Sequence, residues 1–136
     1  MSTPAAAPHF LHEAAAWTPP WGLTIGTAGP WLATHAVLAG DSRTRRAGLL
    51  GRATLAAGEA LIIAPCQGIH TFGMRFPIDV VGVARDGRVV TIAAAVKPWR
   101  VALSWRAFAV LELSAGRCAE AGLTLGAVMC PRRLDL

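Results

Sequence analysis

Hydrophobic and polar positions along this chain alternate in short bursts and never settle into a long helical period. The clearest burst is a pair. Residues 78–84 and 89–95 are two β-branched runs around Arg85-Asp86-Gly87-Arg88. Asp-Gly between such runs predicts a β-hairpin, because glycine adopts the positive φ that tight turns need. Residues 31–39 predict a first strand, and residues 60–64 another that ends at Pro65, which has no amide to give to a ladder. Residues 69–72 and 108–113 read as further extended pieces, and residues 123–129, interrupted by Gly126, as a last strand. Asp41 or Ser42 suits the N-cap of a short helix over residues 43–52, and residues 116–121 predict a helical turn closed by Gly122. About seven short strands with one or two short helices make a mainly β fold, a small β-sandwich or partly open barrel.

Composition narrows the picture. A chain of 136 residues has room for one core, and 54% hydrophobic against 15% charged residues excludes a disordered chain. The mean hydropathy of +0.46 owes much to alanine. No run approaches the ~18 apolar residues of a membrane-spanning helix. Residues 1–20 hold Pro4, Pro8, Pro19 and Pro20 with His9, His12 and Glu13, and lack the basic start and apolar centre of a signal peptide. The expected layout is a loosely ordered arm over residues 1–30, one β domain over 31–130 and a polar tail over 131–136, with cytoplasmic residence.

The net charge is +5, and all but one of the 13 cationic residues are arginines. Such a chain attracts anions in general. The arginines are scattered and no recognition module accompanies them, which argues against nucleic acid. Cys66, Cys118 and Cys130 are an odd set without pairwise spacing, which predicts free thiols.

Candidate chemistry gathers in His70-Thr71-Phe72-Gly73-Met74-Arg75-Phe76-Pro77-Ile78-Asp79. Asp79 and Glu112 are acids set among apolar strand residues, where a carboxylate needs an arginine or several amides to remain charged. They read either as a pair lining a pocket or as structural ion pairs with Arg46, Arg52 or Arg75. Cys66, His70 and Met74 are soft-metal ligand types, though only three in number, and the alternative is a core methionine beside a backbone-bonded histidine. Cys66 as a nucleophile needs His70 turned back as its base, and no flanking signature supports that. Gly48, Gly51 and Arg52 fall inside or after the expected helix, where a packing role fits better than phosphate contact. Trp99 and Trp105, flanking Arg100, suit either a recognition surface or a cap on an open sheet end.

Five blocks in order, Arg46-x-Gly48-Leu49-Leu50-Gly51-Arg52, the segment 70–79 above, Asp86-Gly87-Arg88-Val89-Val90, Val110-Leu111-Glu112-Leu113-Ser114-Ala115-Gly116 and Gly122-Leu123-x-Leu125-Gly126, resemble the domain-of-unknown-function 192 family over residues 31–130. The resemblance implies a small, mainly β domain with an arginine-bearing helix near its start, and no established activity. Many members look exported or lipid-anchored, which this chain does not. It departs from the family pattern at Gly73, where an aromatic is common, and at Arg75 and Phe76, where small polar residues are common.

The expected function is a non-catalytic accessory domain that binds a protein or small ligand. Its polar site is built from His70, Met74, Asp79 and Glu112, with Arg46 or Arg52 as counter-charges. No cofactor is expected. The alternative is a hydrolase with Asp79 or Glu112 as general base. A third reading is an anion or nucleic-acid binder acting through the scattered arginines.

Overall fold

The computed structural model describes residues 8–39, 52 and 54–134. The chain runs through β1 (Trp21–Ile25), β2 (Trp31–Ala33), β3 (His35–Ala39), β4 (Glu59–Ile63), β5 (Gly68–His70), β6 (Ile78–Val83), β7 (Val89–Val96), β8 (Val101–Leu103), β9 (Ala109–Ser114), α1 (Arg117–Ala121) and β10 (Met129–Arg133). A 3-10 turn at Ala14–Ala16 precedes β1. A five-stranded sheet has the order β3-β4-β9-β6-β7, a three-stranded sheet the order β10-β1-β2, and β5 with β8 makes a separate ribbon. Among the described residues, only β3 and β4 run parallel. The mainly β expectation holds, with open sheets and no closed barrel among the described residues.

The two faces of the five-stranded sheet are both covered, which is why β6 is buried at every position and reads as a continuous apolar run. One face, carrying Ile62, Val81, Val83, Leu111 and Leu113, packs against Trp21, Leu23 and Leu32 of the three-stranded sheet. The other face, carrying Ile63, Ile78, Val80 and Val110, packs against Ile69, Met74 and Phe76. The ribbon and the segment after it therefore roof the second face.

The expected hairpin is β6–β7, closed by a bond from the Ala84 amide to the Arg88 carbonyl at 2.8 Å, with Gly87 at φ +92°. Other expectations shift. The run 31–39 divides at Thr34, so β2 joins one sheet and β3 the other. The amides of Thr34 and His35 both donate to the Gly58 carbonyl there, turning the corner. Residues expected as a loose arm supply β1, the central strand of the three-stranded sheet, while Leu11 is fully buried. Proline density near the start concealed a strand that is stabilised by distant partners. The last strand begins at Met129, not Leu123, because Gly126 turns at φ +86°. Its Pro131 and arginines, expected as tail, pair with β1 as an edge, where proline is tolerated. Arg133 lies 5.0 Å over the Trp17 ring and Arg132 lies 5.8 Å over Trp31. The helix expected over 43–52, with Arg46, Gly48 and Gly51, lies outside the described residues except Arg52.

Candidate functional site

Asp79 sits in β6 with no exposed surface. The pairing of β6 with β7 slips between Ile78 and Val80, which bulges β7 opposite Asp79. In that bulge Ala95 takes φ +49° and its amide donates to Asp79 Oδ1 at 2.8 Å. The Gly116 amide donates to the same oxygen at 3.1 Å, and the Cys118 amide to Oδ2 at 3.0 Å. Gly116 has no side chain to cap α1, so Asp79 performs that capping from a neighbouring strand. One carboxylate thus ties together β6, the β7 bulge and the start of α1. Amide donors, and not an arginine, are what its burial required.

Glu112 is equally buried, yet it faces the other way. In the β6–β9 ladder Asp79 lies opposite Leu113, while Glu112 lies opposite Val80. Cross-strand partners share a face. Asp79 therefore belongs to the face of Leu113 and Val81, and Glu112 to that of Val80 and Val110. The sheet separates the two acids, so they form no acid–base pair.

Arg52 meets neither acid. Its guanidinium donates twice to Glu59, from Nη1 at 2.9 Å and Nη2 at 2.8 Å. The hydrogen bonds from Arg52 hold the Glu59 carboxyl below its ordinary range. Arg46 lies outside the described residues. Met74 is buried in the second core, whereas His70 alternates with inward-facing Ile69 and turns to the outer side of the ribbon. The Met74 amide bonds back to the Thr71 carbonyl at 3.2 Å, and Gly73 turns at φ +83°. That turn parts Met74 from His70 and gives glycine a conformational reason at a position where the family often has an aromatic. The Cys66 thiol donates to the Gly68 carbonyl at 3.1 Å. Among the described residues no three His, Cys, Asp or Glu side chains converge on a metal-sized site.

Cys118, beneath Asp79, is a buried free thiol whose pKa is pushed up to about 12 by burial first and by the neighbouring carboxylate second. The folded state therefore keeps it protonated where the unfolded chain ionises it. The stability it contributes is complete below the unfolded thiol's pKa and is lost as pH rises toward 12. The chain has no tyrosine, and its other two thiols, Cys66 and Cys130, are common to the wild type and a Cys118 variant. Denaturant midpoints measured across the alkaline range are expected to fall in the wild type and to fall less in Cys118→Ala. Equal slopes would exclude a thiol origin.

The feature that sequence reading located but did not resolve is the outer face of the β5–β8 ribbon. Trp99, Val101, Leu103 and Trp105 alternate with Arg100, Ala102, Ser104 and Arg106, a period of two that ordinarily puts the large apolar face inside. Here the alternation is inverted. Ser104 is buried and Ala102 packs on the second core, while Trp99 and Trp105 are 66% and 73% exposed and Val101 and Leu103 more than half exposed. Phe72 extends the strip, stacking on His70 at 4.6 Å and on Trp99 at 5.8 Å between ring centres. From residue 87 to residue 111 there is no acidic residue, while Arg88, Lys97, Arg100 and Arg106 lie within those bounds. At the Trp105 end, whose carbonyl accepts from Gln67 Nε2 at 2.8 Å, an open cavity of about 480 Å³ carries Arg85 and Arg106 on its wall.

The fold defines a single-domain, mainly β protein. The chain belongs to the DUF192 family, described as Uncharacterized ACR, whose profile matches residues 23–130. Two crystal structures are similar to it. A protein of unknown function from Novosphingobium aromaticivorans DSM 12444 is 28% identical, with 81% of this chain and 82% of that chain covered and a TM-score of 0.65. One described as a putative transcription regulator from Sinorhizobium meliloti 1021 is 24% identical, with 80% and 89% covered and a TM-score of 0.66, a likeness of fold alone. No match was found among curated proteins. No helix among the described residues is long and apolar enough to cross a membrane.

Proposed function

We propose that this protein is a non-catalytic binding domain whose recognition surface is the outer face of the β5–β8 ribbon. The carrying observation is the inverted alternation: among the described residues, five of the eight exposed large hydrophobic side chains, Phe72, Trp99, Val101, Leu103 and Trp105, lie on this one strip. Leaving such a strip in water forgoes the burial that folding would otherwise gain, about 25 cal/mol per Å². Clustered exposed apolar groups beside cations mark an interaction site more often than a folding solution. The polar site first expected around His70 fits this reading in part, since His70 is the base of the Phe72–Trp99 stack. Asp79 supports it as an anchor: it fixes the β7 bulge just ahead of the loop that carries Trp99.

Site-directed photocrosslinking tests the reading. A photoreactive side chain at Leu103 is expected to give saturable adducts in a crude cell extract that retains its membranes, and one at Leu125, which is more exposed still, none. Trp99→Ser with Trp105→Ser should abolish the Leu103 adducts. Equal labelling at both positions, or labelling that survives the double substitution, would remove the ribbon as the recognition surface.

A further inference from the structure

We infer that the occupant of the ribbon is an anionic lipid surface, an inference that rests on the reading of the ribbon as the recognition face. Tryptophan prefers the membrane–water boundary, where its ring is in apolar surroundings and its N–H remains wet, and arginine pairs with phosphate at the same depth. Both tryptophans of the strip are followed directly by arginine, as Trp99-Arg100 and Trp105-Arg106, with Val101 and Leu103 between them. Two headgroup-level pairs thus bracket an apolar centre.

Three observations favour lipid over other partners. First, the backbone at the two ends of the strip is engaged internally: the Thr71 hydroxyl donates to the Lys97 carbonyl at 2.6 Å and accepts from the Arg100 amide at 2.9 Å. The Trp99 amide donates to the Thr71 carbonyl, the Thr71 amide to Arg100, the Ser104 amide to Gln67, and the Trp105 carbonyl accepts from Gln67. Backbone groups paired in this way enter a medium poor in water at little cost, and at the ends of the strip they are closed to an added strand. Second, the centre of the strip is aliphatic, at Val101 and Leu103. Acyl chains match that, while single-stranded nucleic acid calls for open aromatic faces, and the Phe72 ring is already stacked between His70 and Trp99. Third, the charge of the strip is of one sign. Lys97, Arg100 and Arg106 adjoin it, and Arg85 and Arg106 wall the cavity at its end, which has the chemistry of a phosphate headgroup seat. A protein partner of fixed shape must place acids to meet these cations, but an anionic bilayer offers phosphates everywhere.

Vesicle flotation of the full chain tests this, using phosphatidylcholine alone and phosphatidylcholine with about one third phosphatidylglycerol. The wild type is expected to float with the anionic vesicles at least about tenfold better than with the neutral ones, with a blue shift of tryptophan emission. Trp99→Ser with Trp105→Ser should lose that binding while keeping the wild-type unfolding midpoint, and Leu103→Asp should do the same independently of the aromatic stack. Arg100→Gln and Arg106→Gln should each weaken binding roughly fivefold on the anionic vesicles only. Soluble glycerol phosphate at equal phosphate concentration should not compete. If the wild type floats with neither vesicle, or the strip variants float as well as it does, the lipid assignment is overturned. It is overturned equally if glycerol phosphate or single-stranded DNA displaces the vesicles completely. Leu103 crosslinking that persists in membrane-free extract, with no flotation, would refute lipid while leaving the recognition face in place.

Discussion

Asp79→Asn is expected to lower the free energy of unfolding by about 3 kcal/mol, because a hydrogen bond to a charged acceptor is worth about 1.5–3 kcal/mol and an asparagine keeps only one acceptor oxygen. The carboxylate receives amides on both oxygens, two on Oδ1 and one on Oδ2. In asparagine an NH₂ group replaces one oxygen and points a donor at a donor. If the carbonyl stays with Ala95 and Gly116, the Cys118 amide loses its acceptor at the first turn of α1. If it flips, Ala95 and Gly116 lose theirs, and the bulge that holds Ala95 at φ +49° loses its tether. Thermal unfolding should show a fall of roughly 10 °C for such a change in a domain of this size. Cys118 should become alkylatable in the folded state as α1 frays. An unchanged midpoint would mean that the carboxylate is not the tether, and would return Asp79 to the list of candidates for chemistry.

The parts of the fold that were legible are those in which local rules and tertiary demands agree. The hairpin at Asp86-Gly87 is one: turn chemistry and β-branched flanks gave both strands within a residue or two. Other parts depend on distant partners. Trp21–Ile25 became a central strand only because β10, more than a hundred residues away, pairs with it. The run over residues 31–39 looked continuous because its composition is apolar almost throughout, and nothing in that composition records that Thr34 turns it from one sheet to the other.

For the site, the residue types were legible and their directions were not. Asp79 and Glu112 were selected for the right reason, buried charge, but only the ladder register shows that they occupy opposite faces. Each acid sits in a run that is apolar on both sides, so alternation gives no phase. The ribbon presents the reverse problem. Its alternation from Trp99 to Trp105 is clean, and the rule that assigns large apolar residues to the core sends it to the wrong side. What signals the inversion is the partner residues. Ala102 and Ser104 are too small to fill a core and too uncharged to be a typical solvent face, whereas Arg100 and Arg106 each directly follow a tryptophan. Conflict between a local pattern and its packing is expected where function has claimed the residues.

That conflict needs something to sustain it, and Thr71 supplies it. Trp99 is held at φ +66°, a conformation that costs a non-glycine residue about 1–3 kcal/mol and persists only when its surroundings enforce it. Thr71, fully buried, accepts the Trp99 amide on its carbonyl at 3.1 Å and bonds through its hydroxyl to Lys97 and Arg100, the residues two before and one after that tryptophan. Thr71→Val preserves the shape and removes the hydroxyl, leaving a carbonyl and an amide without it in a site closed to water. At about 1–3 kcal/mol for each buried group left unpaired, a loss of roughly 3 kcal/mol in stability is expected. The damage should also be local. Hydrogen exchange at residues 97–105 is expected to accelerate well beyond what the global loss explains, while β6 and β9 follow the global value. Thr71→Ser, which restores the hydroxyl, should recover most of the protection at those residues. If exchange there follows the global stability in both variants, Thr71 is an ordinary core residue and the strain at Trp99 is carried by its stack on Phe72. If it departs in valine alone, a single buried hydroxyl keeps this tryptophan turned outward, against the direction its sequence pattern would otherwise take.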